Sequence, residues 1–79
     1  MGENLIPLNL LPISRKAKVK DLASTGAIRR RILDLGLIQD TEVQALLKSP
    51  SGDPTAYSIR GTVIALRSEE AAKIFVQTL

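Results

Sequence analysis

The feature that most constrains the fold is the stretch TEVQALLKSPSGDPTAYSIRGTVIALR, Thr41 to Arg67. Apolar residues recur with a period of two on both sides of a loop dense in Pro, Gly, Ser and Asp. Val43, Ala45 and Leu47 share one phase; Glu42, Gln44, Leu46 and Lys48 share the other; beyond the loop, Tyr57 and Ile59 return to the inward phase. Such alternation marks a half-buried strand, because successive side chains point to opposite faces of a sheet. The SPSGDPT segment supplies turn residues, so the two runs form a hairpin. Gly61 then interrupts before TVIALR resumes, which predicts a bulge or sharp bend, the kind of corner a small sheet needs to curl on itself.

The flanking segments fit the same plan. LIPLNLLPI places Ile6, Leu8 and Leu10 on one side and Pro7 and Asn9 on the other. Proline cannot donate to a ladder, so this is an edge strand or extended lead-in. AKVKDL puts Ala17, Val19 and Asp21 on one face and Lys18 and Lys20 on the other. In STGAIRRRILDLG the period changes: Ile28, Ile32 and Leu35 follow the i, i+4, i+7 spacing of a helical stripe. Ser24 or Thr25 is placed to cap its start, and Gly36 to end it in the left-handed conformation. SEEAAKIFV reads as a second short helix with Ser68 as N-cap, acids in the first turn, and Ala71, Ile74 and Phe75 packing down. The expectation is one mainly β domain over residues 1–79, with five short strands bent into a small barrel and two short helices.

Composition narrows the chemistry. The chain of 79 residues has no His and no Cys. That removes the commonest general base, the thiolate nucleophile and the usual nitrogen and sulfur metal ligands. Asp21, Asp34, Asp40, Glu42 and Asp53 are scattered and form no evident pair, so neither an enzyme, a metal site nor a bound cofactor is expected. The SGDPT segment is followed by a strand, not a helix, and is a hairpin turn instead of a phosphate loop. Glu3 precedes the first apolar run and Pro7 and Pro12 break it, which argues against a leader and for a cytoplasmic protein.

The net charge of +3 permits a nucleic-acid-binding small barrel, which is the alternative reading. Single-strand binders stack bases on aromatic side chains, whereas this chain has one Tyr and one Phe, both expected in the core. Arg29, Arg30 and Arg31 step about 100° each around the helix, and Arg30 and Arg31 lie within reach of Asp34. They suit a solvated or partner-docking face better than a phosphate clamp. Leu33 lies off the helical stripe, Leu37 follows the glycine terminator, and Leu46 falls on the solvent phase of its strand. These three are the candidate apolar anchors, with the arginines as a polar rim.

Taken in order, R-x-x-L-D-L-G (Arg30 to Gly36), P-x-G-D-P (Pro50 to Pro54) and A-L-R (Ala65 to Arg67) resemble the ferrous-iron transport protein A (FeoA) family from about Leu8 to Val76. The resemblance implies an SH3-like β-barrel. It also implies a cytoplasmic accessory to the membrane transporter FeoB, with its cytosolic GTP-binding domain as partner and contact with the membrane only through that partner. Gly36, Gly52, Pro54 and Gly61 are expected to be architectural, and Arg60 and Arg67 to support loops or contact the partner. The prolyl edge and exposed aliphatics leave room for a homodimer. Where the family carries Pro-Gly turns, this chain has Gln39-Asp40 and Ile13-Ser14, so those turns are expected to differ.

Overall fold

The computed structural model describes residues 4–79; Glu3 lies outside them. The elements are β1 (Leu5–Pro7), a 3-10 turn (Leu8–Leu10), β2 (Lys16–Leu22), α1 (Gly26–Asp34), β3 (Glu42–Lys48), β4 (Thr55–Ile59), β5 (Thr62–Leu66), α2 (Ser68–Ala71) and β6 (Ile74–Thr78). All six strands join one antiparallel sheet in the order β1-β6-β2-β3-β4-β5. The sheet bends around its core, but β1 and β5 remain edges, so the barrel is open.

The strand missing from the sequence reading is β6. The SEEAAKIFV pattern predicts a helix from Ser68 to Val76, yet α2 stops at Ala71, and Ile74 and Val76 are buried while Phe75 and Gln77 are half-buried. This is period two. Ile-Phe-Val favours a pleated, flanked surface, and β6 has strands on both sides, β1 and β2. That pairing outweighs helix propagation from a single turn. The N-cap of α2 is Arg67, not Ser68. The Arg67 N–H donates to Glu70 Oε1 at 3.1 Å, and the Ser68 N–H donates to Asp53 Oδ1 at 2.8 Å. The SPSGDP loop thus caps a distant helix.

The inward phase of the strands builds the core. Leu8, Ala17, Val19, Val43, Ala45, Tyr57, Ile59 and Leu66 are buried, joined by Ile32, Leu37, Ala71, Ile74 and Val76. Leu10 leaves its expected side and is exposed, because the chain coils into the 3-10 turn after Pro7 and buries Leu8 and Leu11 instead. Bulges break the register between Val19 and Asp21 and between Ala45 and Leu47. An extra residue reverses the phase downstream. Asp21 and Leu47 therefore face solvent, and Leu46 is half-buried.

The sharp bend expected at Gly61 is a two-residue turn. Arg60 (φ 54) and Gly61 (φ 84) are both left-handed, and Ile59 pairs with Thr62 across them, as hairpin twist favours. The Ile13-Ser14 and Gln39-Asp40 turns contain no glycine, yet each holds a left-handed residue, Ser14 (φ 79) and Asp40 (φ 69). The Ser14 N–H bonds to the Ala45 carbonyl at 2.7 Å and the Asp40 N–H to the Val19 carbonyl at 2.7 Å. These tertiary bonds hold a conformation that costs an L-residue about 1–2 kcal/mol.

Candidate docking face

α1 carries the arginine cluster, and its end is set by local chemistry. The Gly36 N–H bonds to the Leu33 carbonyl at 3.0 Å and the Leu37 N–H to the Ile32 carbonyl at 3.2 Å, with Gly36 at φ 96. This is a Schellman motif, in which the residue after the glycine folds back against the helix. Leu37 and Ile32 consequently meet in the core, at 0% and 1% exposure. Leu37 is therefore not a surface anchor: a glycine terminator turns the second residue beyond the cap inward. Ile28 departs from its expected place in the other direction and is 46% exposed, so of the predicted stripe only Ile32 is fully buried and Leu35 partly so.

Leu33 is exposed beside Arg29, Leu22 and Ile38, in a surface hollow floored by Val19 and rimmed by Lys20 and Asp21. A second depression on the outer side of α1 is lined by Gly26, Arg29, Arg30, Leu33 and Asp34. Leu33, Arg29 and Arg30 thus share one face. Leu46, on β3, lines neither depression. The signal that would have found Ile38 is its place directly after Leu37: once the glycine cap buries Leu37, the next side chain turns outward.

The arginines have separate roles. Arg31 forms an ion pair with Glu70, linking α1 to α2, instead of meeting Asp34. Arg29 Nη1 reaches the Leu22 carbonyl at 3.4 Å, and Arg30 makes no ion pair among the described residues. Lys20 Nζ lies 2.8 Å from Asp40 Oδ1. The hydrogen bond and positive charge of Lys20 hold the Asp40 carboxyl below its usual range, with burial opposing and Lys18 assisting weakly. Burial pushes the Tyr57 phenol above its ordinary value; a bond with Thr55 offsets this in part, and the charge of Asp53 adds to it. Tyr57 is buried and Phe75 half-buried, so neither ring forms an open platform. No helix among the described residues is long and apolar enough to cross a membrane.

Solved structures share this architecture. An FeoA-like protein from Clostridium acetobutylicum is 38% identical, with a TM-score of 0.89 and coverage of 100% of this chain and 91% of that one. FeoA from Stenotrophomonas maltophilia, solved with zinc and described as a procaryotic SH3 domain protein, is 32% identical with a TM-score of 0.80, covering 89% and 87% of the two chains. The fold is accordingly SH3-like. A fusion of Fe(2+) transport protein A with the Fe(2+) transporter FeoB from Porphyromonas gingivalis is 31% identical over 72 residues, which is 91% of this chain and 8% of that protein. The FeoA domain model matches residues 6–78, and the chain belongs to the FeoA family, a family linked to ferrous-iron transport.

Proposed function

We propose that this protein is a non-enzymatic accessory of a ferrous-iron uptake system that docks on the cytosolic GTP-binding domain of an FeoB-like transporter through the outer face of α1. The carrying observation is the adjacency of exposed Leu33 to Arg29 and Arg30, with Ile38 extending the apolar surface. A few buried anchors within a polar rim supply most of the energy of an interface, and arginine is common among them. The Porphyromonas gingivalis relative carries the two parts in one chain. Covalent linkage there supplies a high effective concentration of one part at the other.

Calorimetry against the transporter's cytosolic domain, loaded with GTP analogue or GDP, tests this. Binding is expected in at least one nucleotide state. Leu33→Asp combined with Arg29→Glu and Arg30→Glu should weaken it at least about a hundredfold, as loss of hot-spot residues does. Absence of binding in both states would refute the partner, and undiminished binding by the folded triple variant would refute the face. The transporter's GTPase rate with and without the protein then separates catalytic activation from scaffolding.

A further inference from the structure

The two edges of the sheet differ in a way that α1 docking does not use. β1 is three residues long and ends in Pro7. β5 runs for five residues, Thr-Val-Ile-Ala-Leu, without a proline, a glycine or a charge. Soluble proteins usually blunt an open edge with such residues, because its unpaired N–H and C=O groups template a further strand. The Arg60-Gly61 turn decides which groups face outward. Ile59 and Thr62 pair across it, so Thr62, Ile64 and Leu66 exchange bonds with β4 while Val63 and Ala65 direct theirs to the open side. Among the described residues no hydrogen bond reaches Val63 or Ala65 from that side.

The outer face directly beside β5 carries no charge, and the nearest charges on it, Lys16 and Glu42, lie farther across, around Gln44 and Ser58. Leu47 lies opposite Ala56, Ala56 opposite Ala65, and Ser58 opposite Val63. Leu47 and Val63 are 60% and 65% exposed. Exposed Arg60 and Arg67 flank β5 at its two ends, the stem of Arg60 lying beside Gly36 and Glu42, and neither forms an ion pair among the described residues.

We propose that β5 is a strand-addition site for an extended segment of a partner protein, apolar and β-branched at its centre and acidic at both ends. The segment bonds to the outward groups of Val63 and Ala65, extends the apolar strip, and sets its terminal carboxylates against Arg60 and Arg67. A second copy is a poor occupant. Antiparallel pairing about Ile64 would bring Arg67 of one copy beside Gly61 and Arg60 of the other, and like charges across a ladder repel.

The probe is the capped peptide DETVTVTED, titrated into the full chain by NMR, with KKTVTVTKK as control. Chemical-shift changes should centre on β5, and the Val63 and Ala65 amides should exchange at least about tenfold more slowly once bonded. Affinity should fall with salt, and the basic control should bind at least about tenfold more weakly. Val63→Pro deletes an outward donor that the sheet does not use, so it should fold and abolish binding; Ala65→Pro is the second test of the same edge. The proposal is overturned by absence of β5 shifts at millimolar peptide, by equal binding of the basic control, or by self-association through β5 that Val63→Pro abolishes. None of these outcomes bears on the α1 face.

Discussion

Replacing Leu37 with Ala should cost far more than replacing Leu33, although the two lie four residues apart. Leu37 is fully buried and Leu33 is 38% exposed. Deleting a buried leucine side chain costs about 2–5 kcal/mol, through lost transfer energy plus the cavity left behind. At Leu37 relaxation is restricted, because its backbone is pinned to Ile32 in the helix terminator. A chain of this length has a total stability of about 4–12 kcal/mol, at about 0.05–0.15 kcal/mol per residue. Leu37→Ala therefore removes a large share of it, and should lower Tm by about 10 °C or more, given about 4–8 °C per kcal/mol for small domains. Leu33→Ala borders an open hollow that water or a shifting Arg29 can fill, so about 1 kcal/mol is expected. Urea unfolding with a constant m-value, paired with calorimetric melting, measures both. If both variants retain the wild-type m-value and Leu37→Ala costs no more than Leu33→Ala, the assignment of Leu37 to the core and Leu33 to the surface is wrong.

Ser14→Gly should stabilise the fold by about 0.5–1 kcal/mol, because glycine adopts the left-handed backbone without steric cost, offset in part by its greater unfolded entropy; Ser14→Val should destabilise it, and denaturant titration reads both. Asp40 should titrate below 3.8, its ordinary value. Because its folded pKa is depressed, the Lys20–Asp40 pair contributes stability that is present above that value and is lost as pH falls through the folded midpoint. Carboxyl NMR titration should show the Asp40 midpoint rising in Lys20→Met, and an unmoved midpoint would remove Lys20 as the cause.

Much of the fold is written locally. Period-two alternation in Val43-Gln44-Ala45 and in Tyr57-Ser58-Ile59 follows from the pleat, and Gly36 and Gly61 mark positions where a left-handed backbone is required. The ordered family motifs specify the family without reference to a single contact. Neighbouring residues settle these features, so they survive in a one-dimensional reading.

What the tertiary structure alone decides is phase and partnership. The bulge beside Leu46 exposes Leu47, and nothing in QALLK announces it, because the extra residue is defined only against the register of β4. Ile74–Thr78 is a strand because β1 and β2 flank it, and strand preference depends on such neighbours more than helix preference does. Arg31 meets Glu70 across 39 positions of sequence, not Asp34 three residues away. Spacing along a chain bounds which side chains can meet within one element; contacts between elements depend on how the sheet folds over its core, and that geometry determines which leucines and arginines remain available to a partner.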